Sequence, residues 1–216
     1  MNNVLIIGDL HSPFDLPEYF NFCKKVYKDY KCNKVIFIGD VIDFHTVSVH
    51  DKDPDGLSTK GELDLAIKRL HKWYKAFPKA VALYGNHDLR IAKKAYREGI
   101  SKRFIKDFNE IIEAPKGWEF EYEYILDNVL YVHGSIGNAF ARCQKERMNL
   151  VQGHFHSLAG VQYFKSNKDQ IFGMQVGCGI DDNAYAFDYG KEQPKKSIIS
   201  CGVVLNNGKL PLAVTM

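Results

Sequence analysis

The chain has little that would place it outside an aqueous compartment or on a charged polymer. Its five cysteines (Cys23, Cys32, Cys143, Cys178, Cys201) are scattered, odd in number and contain no Cys-x-x-Cys pair. A disulfide framework or a thiolate zinc site is therefore not expected, and reduced thiols in a cytoplasmic setting are. No apolar run approaches the roughly 18 residues needed to span a membrane, and the first β-like run begins almost at Met1, so neither a membrane anchor nor a secretory leader is expected. A formal net charge of +3 over 216 residues is too slight for a dedicated nucleic-acid binder. Repeats, low-complexity tracts and linkers are also lacking. With 45% hydrophobic and 25% charged residues, the chain suits one buried core, and residues 1–216 are expected to form one domain.

Short apolar runs stopped by glycine organise the front half. Val4-Leu5-Ile6-Ile7, Val35-Ile36-Phe37-Ile38 and Val81-Ala82-Leu83-Tyr84 read as buried strands, ended by Gly8-Asp9, Gly39-Asp40 and Gly85-Asn86. Between them, helical spacing runs from Leu16 to about Tyr30 and from a cap at Thr59 to Pro78, giving a βαβ pattern. His45 to Ser58 reads as a loop, and Leu89 to about Glu113 as mixed helix broken near Gly99-Ile100-Ser101. The back half reads as mostly antiparallel. Its β-like runs are 118–124, 129–132, 150–152, 158–164, 171–176, 198–205 and 210–214, with a helix near Asn138 to Arg147 and a turn at Asn206-Asn207-Gly208.

Five of the eight histidines fall where those runs stop, in the strings Gly8-Asp9-Leu10-His11, Gly85-Asn86-His87-Asp88, His133-Gly134 and Gly153-His154-Phe155-His156, and Gly39-Asp40-Val41-Ile42-Asp43 adds carboxylates. Each string alone has an ordinary reading: Asp after Gly forms turns and helix caps, and a lone histidine is commonly a hydrogen-bonded core residue. Together, at successive strand ends, they supply imidazole, carboxylate and amide oxygen to one crevice. An extended His154-x-His156 would point both rings the same way, serving two neighbouring ions from one loop.

This ordered set resembles the calcineurin-like metallophosphoesterase superfamily over most of the chain, from Asp9 to His156. The resemblance implies an α/β (α+β) fold, a four-layer αββα sandwich of two mixed sheets. It implies that Asp9, His11, Asp40 and His156 bind one divalent ion, and that Asp40, Asn86, His133 and His154 bind a second, with Asp40 bridging. Mn²⁺ is the first expectation for both, with Fe, Zn²⁺, Co²⁺ or Ni²⁺ as alternatives suited to mixed oxygen and imidazole donors. The expected chemistry is phosphoester hydrolysis, mono- or diester, with a metal-bridging hydroxide attacking in line. The resemblance makes His87 the proton donor to the leaving oxygen, with Asp88 orienting its ring.

Several residues keep two readings. Asp43 either orients a ligand histidine or caps a helix. Arg90 either meets a substrate phosphate or sits on a solvated face. His45 and His50 border the pocket or lie idle on a loop, and His71 is assigned no role. Lys93, Lys94, Arg97, Lys102, Arg103 and Lys106, interleaved with Tyr96 and Phe104, either track phosphates or form a solvated helix face. Ser12, Asp43-Phe44-His45 and Asp88 stand where the protein Ser/Thr phosphatase branch has Gly, Asp-Arg-Gly and Glu, so protein phosphatase activity is not expected. Gly85-Asn86-His87-Asp88 suits the DNA-repair nuclease branch, but that branch's long C-terminal extension is not expected here. The expected substrate is a phosphorylated small molecule or nucleotide, with nucleic acid as the alternative and a non-catalytic metal-bound scaffold as an alternative of another class. Oligomeric state is not legible.

Overall fold

The computed structural model describes residues 1–49, 52–190 and 194–216; His50 lies outside the described residues. In chain order the strands are β1 (Val4–Ile7), β2 (Lys34–Phe37), β3 (Ala80–Leu83), β4 (Trp118–Glu121), β5 (Glu123–Leu126), β6 (Val129–Val132), β7 (Asn149–Gln152), β8 (Ala159–Lys165), β9 (Gln170–Val176), β10 (Ser200–Leu205) and β11 (Leu210–Thr215). The α-helices are α1 (Tyr19–Asp29), α2 (Thr59–Ala76), α3 (Arg90–Arg97), α4 (Phe108–Ile111) and α5 (Ala139–Glu146).

The strands form a six-stranded sheet, β11-β10-β1-β2-β3-β4, and a five-stranded sheet, β5-β6-β7-β9-β8. Both are mixed. In the first, β1 to β4 run parallel and β10 lies antiparallel between β1 and β11; in the second, β6, β7 and β9 are mutually parallel and β5 and β8 are antiparallel edges.

Alternation along β1 shows why its run is apolar throughout. Leu5 and Ile7 point outward to a helical layer, where Tyr19, Cys23 and Val26 of α1 and Ala66, Leu70 and Trp73 of α2 cover them. Val4 and Ile6 point inward, packing with Ile36, Ile38 and Leu83 against Tyr131, Val151, Phe172 and Met174 of the second sheet. On that sheet's far face, Leu130, Val132 and Leu150 meet Ala139 and Cys143 of α5. A strand buried on both faces has no polar side to show, hence the unbroken hydrophobic reading. The resulting layer order is helix, sheet, sheet, helix, as the four-layer expectation required.

Two expectations need correction. The run 118–124 is two strands: β4 pairs with β3 in the first sheet and β5 with β6 in the second, with the chain passing between sheets at Tyr122. Aromatic and acidic residues continue through the break, so no turn residue marks it. The back half is mostly antiparallel, as expected, through the pairs β5·β6, β8·β9, β10·β11 and β1·β10; the parallel exceptions within it are β6·β7, where α5 carries the chain across as a crossover, and β7·β9. The cap of α2 is Ser58, whose Oγ accepts from the Gly61 amide at 3.1 Å, rather than Thr59. The broken helix did form as expected: α3 ends before Gly99, at φ +71°, and a short 3₁₀ turn at Lys102–Phe104 and the one-turn α4 follow. No helix among the described residues is long and apolar enough to cross a membrane.

Candidate metal centre

Parallel pairing puts the carboxyl ends of β1, β2 and β3 side by side, and β6 and β7 do the same in the facing sheet. The loops leaving those five strands carry Asp9 and His11, Asp40, Asn86 to Asp88, His133, and His154 with His156.

Among the described residues their donor atoms form three sets, each within 4.8 Å: Asp9, His11 and His156; Asp40, His133 and His154; and, overlapping both the first set and the second, His11, Asp40 and His87. In the first, His11 Nε2 stands 3.2 Å from His156 Nε2, which is 3.1 Å from Asp9 Oδ2. In the second, Asn86 Oδ1 lies 3.0 Å from both His133 Nε2 and His154 Nδ1, and those two nitrogens are 3.3 Å apart. Asp40 Oδ2 joins the groups, at 3.2 Å from His133 Nε2 and 3.5 Å from His11 Nε2. Its Oδ1 accepts the His87 amide at 2.7 Å. The structure thus brings all the expected ligand residues together.

His154 and His156 converge by a different geometry from the one expected. His154 has φ +69°, so the segment is not extended, and its ring offers Nδ1 to one group while His156 offers Nε2 to the other. His11 (φ +49°) and Asp40 (φ +46°) are also left-handed. Each such non-glycine residue costs on the order of 1–2 kcal/mol, and strain of this kind collects where side chains must be aimed.

The donor set suits cations. The paired ring nitrogens face each other at distances where two lone pairs repel and two N–H groups clash. Asp9 is fully buried and its Oδ1 has no hydrogen-bond partner. His11 Nδ1 lies 2.6 Å from Asp43 Oδ1, and His133 Nδ1 lies 3.2 Å from the Ile38 carbonyl. Both partners only accept, so each Nδ1 keeps a proton and Nε2 is the nitrogen that would turn a lone pair to a cation, on His133 only after its own proton is lost.

Electrostatics follow the same grouping. Burial and the adjacent His87 lower His11 to about 4, against the pull of Asp43. Burial also opposes charge on His133, but the Asp40 and Asp9 carboxylates raise it to about 10. Burial favours neutral Asp40 and Asp43, yet the surrounding histidines hold both well below the usual carboxylate range.

Asp43, given two readings above, is settled in place. Its Oδ1 meets His11 Nδ1 and also His87 Nδ1, at 2.9 Å, while its Oδ2 lies 3.6 Å from the Arg90 guanidinium. It caps none of the described helices. Asp88, expected beside the His87 ring, instead accepts the Gly85 amide (2.8 Å) and the Ile42 amide (3.1 Å), tying the second and third strand-end loops together. A side chain following His87 on a tight turn points back into that turn rather than toward its neighbour's ring. Burial, reinforced by Asp40, raises Asp88 to about 7.

Arg90 is not on a solvated face. Its NH1 donates to the Asp43 carbonyl at 2.8 Å and its NH2 lies 3.1 Å from His87 Nε2. His45 is buried against Phe14 and Tyr185, outside the donor groups, and His71 is exposed on α2.

A cavity of about 320 Å³ opens over the donors, lined by Asp40, Asn86, His87, His154 and His156 and walled opposite by Ile180, Phe187 and Lys195. Sequence reading missed that wall. It follows the last motif by more than a strand's length and carries no pattern beyond the dibasic Lys195-Lys196, judged too short to matter.

The profile of the calcineurin-like phosphoesterase family matches residues 3–190, and the chain belongs to that family. A search of curated proteins gave no match. Among solved structures, Yfce, a phosphoesterase from E. coli, is 14% identical, covering 98% of this chain and 99% of that one at TM-score 0.45. Vps29 from Chaetomium thermophilum is 12% identical, covering 100% and 97% at TM-score 0.48. The nuclease MPE from Pseudomonas putida is 13% identical, covering 97% and 86% at TM-score 0.41.

Proposed function

We propose that the chain is a phosphoester hydrolase dependent on two divalent cations, acting on a phosphorylated small molecule or nucleotide in the cytoplasm. The observation that carries this reading is the convergence of the two donor groups on Asp40 Oδ2. Asp9, His11, Asp40 and His156 would hold one ion and Asp40, Asn86, His133 and His154 the other, with Mn²⁺ first among candidates. Bound there, the pair would supply Lewis acidity toward a phosphoryl group and acidify water near neutral pH.

The protein's own part is orientation and proton delivery. His87 lines the cavity and is the proton donor to the leaving oxygen, through Nε2. Asp43, rather than Asp88, holds the Nδ1 proton and stabilises the imidazolium. The Arg90 NH2 beside Nε2 also donates, so a protonated Nε2 requires Arg90 to turn toward an anionic substrate. Substrate arrival and readiness of the acid are thereby linked. Arg90 would meet the phosphate it turns toward.

The test is elemental analysis followed by a panel of aryl phosphate mono- and diesters, cyclic nucleotides, single-stranded DNA and RNA. Wild type should hydrolyse at least one, and metal-replete His87→Ala should lose about 10²–10⁴-fold in turnover. Metal-replete wild type inert toward the whole panel would favour the scaffold reading; unchanged His87→Ala turnover would remove the proton-donor role.

A further inference from the structure

Helix α3 holds a second concentration of chemistry beside the metal cluster. Arg90, Lys93, Lys94 and Arg97 fall at i, i+3, i+4 and i+7, and so share one helix face. All four line a separate cavity of about 280 Å³, closed on its other side by Val47, Ser48 and Val49. Glu98 is the one acid in that lining. Lys93, Lys94 and Arg97 make no ion pair among the described residues, so little offsets their mutual repulsion.

Four cationic side chains around one cavity suit an oxyanion, which accepts from each of them. Arg90 belongs to this cavity and also touches His87, so a group bound here lies next to the proposed reaction cleft.

We propose that this cavity is a subsite for a second phosphate group carried by the substrate, so that the enzyme favours compounds bearing two or more phosphates. The inference rests on the phosphoesterase reading above. The second phosphate has two possible sources, a small bisphosphate or the next linkage of a polynucleotide strand. Tyr96 and Phe104, 85% and 81% exposed on the same segment, offer rings on which a strand's bases could stack.

The experiment measures binding to metal-replete protein by fluorescence anisotropy, using dye-labelled phosphorothioates that resist hydrolysis. The probes are thymidine 5′-phosphorothioate, thymidine 3′,5′-bis(phosphorothioate) and an oligothymidylate of about 12 residues. Lys93→Ala/Lys94→Ala/Arg97→Ala should weaken one or both multiphosphate probes by about tenfold or more, and the one-phosphate probe by less than about threefold. A matched variant of equal charge change, Lys24→Ala/Lys25→Ala/Lys28→Ala on α1, should lose less than about threefold on all three.

Loss on the bis(phosphorothioate) identifies a small-molecule source. Loss confined to the oligonucleotide, with its salt slope reduced by up to about 2, identifies a strand. Equal affinity in the α3 variant, equal loss in both variants, or equal loss on the one-phosphate probe overturns the subsite. Hydrolysis of the unmodified panel, measured alongside, decides the phosphoesterase reading separately from the binding result.

Discussion

Asp43→Asn separates the ligand-orienting account from a simple packing role. The Asp43 side chain is about as buried as the ligands it serves, and its Oδ1 receives both His11 Nδ1 (2.6 Å) and His87 Nδ1 (2.9 Å), with Arg90 at 3.6 Å from Oδ2. Asparagine has the same shape but one acceptor and no charge. Placed with its oxygen toward the rings, it sets an NH₂ against the Arg90 guanidinium, donor facing donor. Flipped, it sets the NH₂ against both Nδ1 atoms, which moves each ring proton to Nε2 and removes His11 Nε2 as a lone-pair donor. Either orientation weakens the group built on Asp9, His11 and His156.

Loss of a residue that orients a metal-bound histidine typically costs 10–100-fold in metal affinity, about 1.4–2.7 kcal/mol. His133 and His154 do not touch Asp43, and His133 is oriented by the Ile38 carbonyl, so the second group should be largely spared. Titration of metal-free protein with Mn²⁺ against a competing chelator should therefore show one of two affinities falling by 10–100-fold and the other by less than about threefold. Two unchanged affinities, in a variant that folds, would refute the reasoning.

Asp88→Ala should act on stability: it orphans the buried Gly85 and Ile42 amides, which at about 1–3 kcal/mol each lowers Tm by on the order of 10 °C in calorimetry, whereas a shift under about 2 °C would return Asp88 to a catalytic role. Gly85→Ala should abolish tight metal binding in a folded protein, because a Cβ there overlaps Asp40 Oδ1 and its amide nitrogen; retained affinity would mean that the loop yields. Metal uptake should release protons. His133 is raised to about 10 when ion-free and so is protonated at neutral pH, and a cation must displace that proton. Affinity should then rise with pH, by about tenfold per unit for each proton released, and calorimetry in buffers of different ionisation enthalpy should count at least one; a count of zero contradicts the assignment.

The front-half strands were legible because burial on both faces leaves an unbroken apolar run, as in Val4 to Ile7, and the glycine that ends each run marks where ligands emerge, whereas the four-layer order followed from the family resemblance. The ligand positions were legible for the same reason: each follows a strand terminus, where parallel pairing forces convergence. What was not legible depends on contacts between distant segments. The break at Tyr122 lies within a continuous β-like pattern, and only pairing with β3 on one side and β6 on the other divides it. The roles of Asp43 and Asp88 exchange because adjacency in sequence brought Asp88 next to His87, whereas the fold brings Asp43 from another strand end. Arg90 opens a helix whose other basic residues, Lys93, Lys94 and Arg97, are exposed as a solvated face would be, and only its contacts with Asp43 and His87, from another strand end and the preceding turn, set it apart.

The central claim is met most directly by a crystal structure of the Mn²⁺-loaded protein with anomalous scattering recorded at the manganese edge. Two anomalous peaks per chain are expected, one among Asp9, His11 and His156 and one among Asn86, His133 and His154, with Asp40 contacting both. A single peak, or two peaks that leave Asp40 untouched, would contradict the dinuclear account.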